Sequence, residues 1–454
     1  MNRRTFLKNL GIGIAALSLP GCNGSSQKVL SSVLANERPN IIIIFTDDQG
    51  YADLGCYGSK NNKTPRMDQL VKEGTRFTNF YAQHVCGPSR SALLTGRYPR
   101  HSLGWSMPTD EITFAELIRE VGYGTACIGK WDVSNREAII DRMPNAQGFD
   151  YYFGTLGAND NGSVSFHENN EPAGKTSDMG SLTKLYTDKA IDYLENKRDK
   201  KKPFVLYIAH TMMHTIIDAS AKFKGTSKGN LYGDVVEEFD HETGRLLDTV
   251  DKLSLRENTL IIYTTDNGAW NQPAYHNKKK GHPEGAVFWG NSGPLRNGKG
   301  SCYEGGSRVP CIVRWPGKVP KNRVSDAIFA TIDFMPTFAK LAGFKVPDDR
   351  VIDGVNQSEL LFGKSKEGAR DTFFYQGNGV RRGKWKYLRA KHDVPGYAQD
   401  KKREKVEELY DLDSDIGETT NLAEKYPRKV AQLKALMEAV DYGDYYWGIK
   451  IKTP

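Results

Sequence analysis

The sequence is short of several things, and each shortage removes a class of protein. Six cysteines in 454 residues are few, and after Cys22 there remain Cys56, Cys86, Cys127, Cys302 and Cys311, an odd set without Cys-x-x-Cys spacing. That excludes a disulfide scaffold and a structural zinc site, and leaves at least one thiol with another fate. No apolar run is long enough for an ordinary membrane span, the nearest being Leu10 to Leu19. The net charge of +8 is not gathered into a basic stripe: Arg3, Arg4 and Lys8 hold three of those charges, and the runs Lys197 to Lys202 and Lys278 to Lys280 read as solvated turns. A nucleic-acid partner is therefore not expected, whereas the mild surplus favours anionic substrates. Internal repeats are absent too.

What remains is a chain with 45 glycines, long enough for a large domain and a smaller one. MNRRTFLKNLGIGIAALSLPGC has a basic head, an apolar stretch and small residues before Cys22, the pattern of an export signal. Arg3-Arg4 with Phe6-Leu7-Lys8 resembles a twin-arginine signal, and Leu-Pro-Gly-Cys22 a bacterial lipoprotein cleavage site, with Pro20 departing from the usual form. The expectation is an exported protein of the periplasm or cell surface, anchored by lipid at Cys22 or simply secreted. Residues 1–22 are the signal and 23–37 a linker.

NIIIIFTDDQG, residues 40–50, is an unbroken apolar run ending at Asp47-Asp48, as expected of a strand buried on both faces. Thr64 and Pro65 open a helical pattern that ends at Gly74, and Thr113 with Glu116 forms a capping box ahead of Phe114, Leu117, Ile118 and Val121. Strands are predicted from Thr125, at 203–209 and within 258–268, with a helix over 234–253. Buried strands alternating with amphipathic helices predict an α/β sandwich around a largely parallel sheet, with ligands at the carboxyl ends of the strands. Beyond residue 343 the texture changes to short basic strands and a late helix near 425–440. The domains are placed at 38–365, catalytic, and 366–454, a smaller α+β unit. The polar stretch 157–181 is long for a structureless loop and is where substrate selectivity is expected.

Asp47 and Asp48 end one strand, and Asp266 and Asn267 end another. Four hard oxygen donors suit Ca²⁺ or Mg²⁺ better than zinc, although each pair alone is also common turn chemistry. Between them lies CGPSRSALLTGR, residues 86–97, where a cysteine stands beside an arginine.

Cys86-Gly-Pro88-Ser89-Arg90, continuing through Leu94-Thr95-Gly96-Arg97, resembles the signature of the type I sulfatases of the alkaline-phosphatase-like superfamily. The resemblance extends over IIIIFTDDQGYADLGCYG, Gly-Lys-Trp at 129–131, PFVLY followed by His214, TTDNG, LRNGKGSCYEGGSRVP, KWKYL and ELYDLDSDIGETTNLA. It implies an alkaline-phosphatase-like mixed sheet sandwiched by helices, and the hydrolysis of sulfate monoesters, here on a sulfated carbohydrate. It implies that a maturation enzyme converts Cys86 to Cα-formylglycine, whose hydrate is the nucleophile. Calcium, or less readily magnesium, would be held by Asp47, Asp48, Asp266, Asn267 and modified Cys86. By the same resemblance Arg90 orients the formylglycine, Lys130 and Lys299 contact sulfate oxygens, His214 protonates the leaving group, and Asp266 takes the proton of the attacking hydroxyl.

One departure concerns Gly129-Lys130-Trp131-Asp132, where the family reads Gly-Lys-Trp-His. By the resemblance that histidine deprotonates the second hydroxyl of the hydrate as sulfate is expelled, and Asp132 either serves there as a carboxylate base or leaves that step to another group, such as His210. His101, His210, His276 and His282 are weighed as substrate-lining residues against simple solvation. Cys56, Cys127, Cys302 and Cys311 are expected to be buried small residues, and Tyr81 and Trp105 to be core. Two alternatives stand beside the sulfatase reading: a phosphonate or phosphate-ester hydrolase of the same superfamily, and a surface glycan-binding protein that has lost turnover.

Overall fold

Strand β1, Asn40–Thr46, is buried along its whole length because the sheet is covered on both faces. Ile41, Ile43 and Phe45 enter one apolar layer and Ile42 and Ile44 the other. Each of these fully buried side chains contributes roughly 1.5–3 kcal/mol. A computed structural model describes residues 38–270, 289–390 and 405–440, and the backbone of two short strands, Tyr445–Tyr446 and Ile449–Lys450. The leader with Cys22, the basic run 278–280, His276 and His282 lie outside the described residues.

The other strands of the large sheet are β2 Thr75–Tyr81, β3 Gly124–Lys130, β4 Tyr151–Thr155, β5 Val164–Glu168, β6 Glu171–Thr176, β7 Phe204–Ala209, β8 Thr259–Thr265, β9 Arg308–Arg314, β10 Arg323–Ser325 and β11 Phe329–Ala330. They lie in the order β10-β2-β9-β8-β1-β7-β3-β4-β5-β6, with β11 beside β2. The central strands β8, β1, β7, β3 and β4 are all parallel, and antiparallel pairs occur toward the edges. The mixed, largely parallel α/β sheet expected from the sequence is thus observed, and Thr113 and Glu116 form the anticipated capping box of the helix Phe114–Glu120. Residues 157–181 differ from a structureless loop. Most of them form the β5–β6 hairpin, which extends the sheet because backbone polar groups need ladder partners.

A second, antiparallel sheet comprises β12 Thr372–Phe374, β13 Gly379–Arg382, β14 Trp385–Leu388 and β15 Glu408–Asp411. The helix Pro427–Glu438 packs Val430, Leu433 and Met437 against Val380, Tyr387 and Leu409 of that sheet. No helix among the described residues is long and apolar enough to cross a membrane.

Candidate active site

Parallel strands share a direction, so their carboxyl ends meet at one edge, and that edge holds the polar residues. Asp47 and Asp48 follow β1, Lys130 ends β3, His210 and His214 follow β7, and Asp266 and Asn267 follow β8. One ligand atom from each of Asp47, Asp48, Cys86 and Asp266 lies within 4.8 Å of the others. Cys86 is the first residue of the buried helix Cys86–Thr95, where unpaired N–H groups and the helix dipole favour negative charge. Arg90 stands one turn further along the same helix. Gly87 is glycine of necessity: a Cβ there would lie 2.2 Å from the indole of Trp105. Gly129, at φ 112°, likewise leaves no room for a Cβ against the Ala209 carbonyl oxygen 2.0 Å away.

The site is a lattice of buried opposite charges. Asp47 Oδ2 accepts from Lys130 Nζ at 2.7 Å and Arg90 Nη2 at 3.1 Å, while its Oδ1 lies 3.4 Å from Cys86 Sγ. Arg90 Nη2 also reaches Asp266 Oδ2 at 2.9 Å, and its Nη1 donates to the Lys130 carbonyl. Lys299 Nζ is 3.1 Å from Cys86 Sγ and 2.6 Å from Asp48 Oδ1, which also accepts from Asn267 Nδ2 at 2.8 Å. Asp48 and Asp132 hold left-handed backbone, φ 58° and 55°, a conformation that costs about 1–3 kcal/mol in a non-glycine residue.

Burial and charge pull these groups apart in proton affinity. Burial alone would raise the Asp47 carboxyl, but Lys130, His214, Arg90 and Lys299 together hold it well below the usual carboxylate range. Asp266 is pushed up to about 7 by burial and by the Asp47 charge, against Arg90 and Lys130. The Cys86 thiol is raised well above its ordinary value by burial, Asp266 and Asp47, so at neutral pH it is protonated and a poor nucleophile. His214 is held below its usual value by burial and by Lys299. Its Nδ1 lies 2.7 Å from the Thr215 carbonyl oxygen and carries the proton, which leaves Nε2 facing Asp48 Oδ2 and Asp160 Oδ1, each 3.8 Å away.

Asp132 is buried and fully engaged. Its Oδ2 lies 3.3 Å from Lys130 Nζ and accepts from Trp105 Nε1 at 3.3 Å, and its Oδ1 accepts from Arg136 Nε at 2.9 Å. Burial would raise its carboxyl, yet Lys130, Arg136 and Arg90 hold it below the ordinary value. Trp105, expected as core, is partly buried against the core and also donates to Asp132. Two histidines require correction. His210 does not line the site: its ring sits between Tyr186 and Phe239, its Nδ1 accepts from the Met212 N–H, and burial pushes it down to about 3. His101 is tied through Nδ1 to Asp353 Oδ2 at 2.8 Å, beside Arg100, and so stabilises its own loop. Cys127, Cys302 and Cys311 are buried as expected, and Cys56 only partly so.

Sequence spacing did not point to Arg136, Asp160 or Asn159. Asn159 Nδ2 donates to the carbonyls of His214 and Ile216 at 2.7 and 2.6 Å, pinning the histidine's segment. Their only signal was position in the polar stretch after Gly157 and in the turn after Asp132.

A doubly covered, mainly parallel sheet with buried carboxylates, lysines and an arginine at its carboxyl edge defines a hydrolase of the alkaline-phosphatase-like superfamily. The Sulfatase family model matches residues 39–344, and the N-sulphoglucosamine sulphohydrolase C-terminal model matches residues 298–441. N-acetylgalactosamine-6-sulfatase of the dog, Canis lupus familiaris, is 33% identical over 383 residues, 77% of this chain and 70% of that protein. A structure from work on the metabolism of multiple glycosaminoglycans by Bacteroides thetaiotaomicron matches with a TM-score of 0.77 at 28% identity, over 89% of this chain and 99% of its own. Ps i-CgsB in complex with k-i-k-neocarrahexaose matches with a TM-score of 0.74 at 28% identity, over 88% and 92%. The chain belongs to the sulfatase family and is a sulfuric ester hydrolase.

Proposed function

We propose that this sulfatase removes sulfate from a sulfated carbohydrate, using Cα-formylglycine made from Cys86 by a maturation enzyme and a divalent cation at Asp47, Asp48, Asp266 and Asn267. One observation carries the reading: acidic tips from β1 and β8 converge on the Cys86 side chain inside a ring formed by Arg90, Lys130 and Lys299. The donor set suits a hard cation, since Asp48 Oδ2 and Asn267 Oδ1 are buried without a hydrogen-bond partner among the described residues. Calcium is the better match because flexible oxygen ligation of this kind does not demand an octahedron. Bound there, the cation supplies charge that polarises the sulfate. Formylglycine made from Cys86 would, once hydrated, supply a nucleophilic oxygen at this position.

The remaining work falls to this chain's own groups. Lys299, in contact with Cys86 Sγ, and Lys130, on Asp47, neutralise the anion on which charge builds. Arg90 holds Asp47 and Asp266 in register through one nitrogen. His214, whose Nε2 faces Asp48 and Asp160, would protonate the leaving alcohol when its ring carries a second proton. Asp132, ionised and shared between Lys130 and Arg136, is a positioning residue that orients Lys130. Names among the relatives support the substrate class, an N-acetylgalactosamine-6-sulfatase and a neighbour holding k-i-k-neocarrahexaose. The leader supports export to the periplasm or cell surface, with Cys22 as a lipid anchor point. Residues 38–365 would then form the catalytic domain and 366–454 the smaller unit.

Exhaustive chelation is expected to reduce turnover of an aryl sulfate to background, and calcium to restore it. Undiminished activity in chelator would remove the cation from the proposal, and faster turnover of an aryl phosphonate assayed in parallel would reassign the substrate. Asp132→Asn is expected to lower kcat/KM about 10- to 100-fold, the usual effect of losing an outer partner of a reacting group. Its acid limb in the pH profile should stay where it is. Disappearance of that limb would make Asp132 a base instead.

A further inference from the structure

Arg136 stands at the edge of the site and bridges two carboxylates, Asp132 and Asp160. The chain doubles back after Lys130 through a turn in which Asp132, Asn135 and Arg136 all hold left-handed backbone, φ 55°, 56° and 63°. That strained turn brings Arg136 over the edge of the site, with its side chain 45% exposed. Its Nε donates to Asp132 Oδ1 at 2.9 Å and its Nη1 to Asp160 Oδ2 at 2.8 Å. The other oxygen of Asp132 lies 3.3 Å from Lys130 Nζ, and the other oxygen of Asp160 lies 3.8 Å from His214 Nε2. Arg136 is therefore one carboxylate away from the lysine facing the sulfate and one carboxylate away from the histidine facing the leaving group. Gly157 lies beneath its aliphatic stem, where a Cβ would stand 3.3 Å from Cδ, so the loop carrying Asp160 is moulded around it.

Two nitrogens of the guanidinium are fixed, and Nη2 has no protein partner among the described residues. Asp132 shares Lys130 with Asp47, which lies closer to Nζ at 2.7 Å, and Arg136 is its second cationic partner. A rigid, half-exposed, partly satisfied guanidinium is pre-organised to receive an oxyanion, with little entropy left to lose. We propose that Arg136 is a specificity residue that binds a second anionic group, a uronate carboxylate or another sulfate, on the saccharide whose sulfate is cleaved. The inference rests on the carbohydrate-sulfatase reading above.

The test compares wild type, Arg136→Gln and Arg136→Lys on 4-nitrophenyl sulfate, a monosulfated neutral sugar, a sulfated disaccharide containing a uronate and a disulfated monosaccharide. Wild-type turnover of the aryl sulfate tests the sulfatase reading by itself. For the proposal, Arg136→Gln should raise KM for a doubly anionic substrate roughly tenfold or more, as losing a charge-assisted hydrogen bond does, with kcat little changed. The aryl sulfate, which feels Arg136 only through Asp132, should lose several-fold less in kcat/KM than the doubly anionic substrates, and Arg136→Lys should recover part of the KM. A loss confined to the uronate substrate assigns the carboxylate, and one confined to the disulfated sugar assigns sulfate. Equal losses on the aryl sulfate and the doubly anionic substrates would reduce Arg136 to a support for Asp132. Absence of any loss, or a wild type that does not favour doubly anionic sugars over the neutral one, also overturns the proposal.

Discussion

Cys86→Ala is expected to fold normally and to lose turnover of aryl sulfate by roughly 10⁴-fold or more, the scale seen when a nucleophile is deleted. The substitution removes one small buried side chain and leaves the ion pairs among Arg90, Lys130, Asp47 and Asp266 in place. A thermal melt should therefore shift by only a few degrees. The loss is large because no neighbouring group can take over: Asp47 and Asp266 are both paired with Arg90. Mass spectrometry of the peptide carrying residue 86 completes the test. Protein from a host able to mature sulfatases should show oxygen in place of sulfur with two hydrogens lost. Activity in the alanine variant above a trace would sink the assignment of position 86 as nucleophile.

Lys386→Met should have the largest effect on stability. Lys386 is fully buried between the two sheets, its Nζ 2.9 Å from Glu304 Oε1 and 2.7 Å from Glu418 Oε1, above the ring of Tyr375. Burial would raise Glu304, but Lys386, Arg381 and Arg308 hold it well below its usual range, while Glu418 is pushed up to about 7 by burial against Lys386. Removing the lysine leaves two buried carboxylates facing each other, which costs about 3–5 kcal/mol. The deficit should depend on pH. A carboxyl raised in the folded state contributes stability that is present below its unfolded value of about 4.3 and is lost as pH rises through the folded value. Without Lys386 that loss deepens for Glu418, so the variant should melt further below wild type at about pH 8 than at about pH 6. An equal deficit at both would exclude the carboxylate pair as its cause.

The same cluster ties stability to catalysis. The Glu304 N–H donates to Glu418 Oε2 at 2.7 Å, and Arg296 donates to the Glu418 carbonyl and to Tyr410. The small sheet thus braces the segment that carries Lys299, and kcat of the folded Lys386→Met variant should fall as well.

Much of the site was readable because its chemistry is local. The apolar run ending at Asp47-Asp48, the strand ending at Asp266-Asn267 and the twelve residues from Cys86 each announce a structure or a modification within a few positions of chain. The role of Asp132 was not readable, since a carboxylate in place of a histidine has opposite meanings depending on whether Lys130 and Arg136 reach it. His101 and His210 misled for a related reason. A histidine next to a motif is near it in sequence, yet Asp353 captures one ring and an aromatic pair encloses the other, partners far away in the chain.

The sequence by itself determined the elements and the family: apolar runs that must be buried as strands, a capping box, and a cysteine in a setting that resembles a known modification site. Only the tertiary structure decided which charges meet. Residues 47, 130, 214 and 266 come together because β8, β1, β7 and β3 lie side by side and point the same way, and the helix that begins at Cys86 and the segment carrying Lys299 are packed onto that edge. That order is set by the burial of both faces of the sheet, a property of the whole core rather than of any stretch of chain.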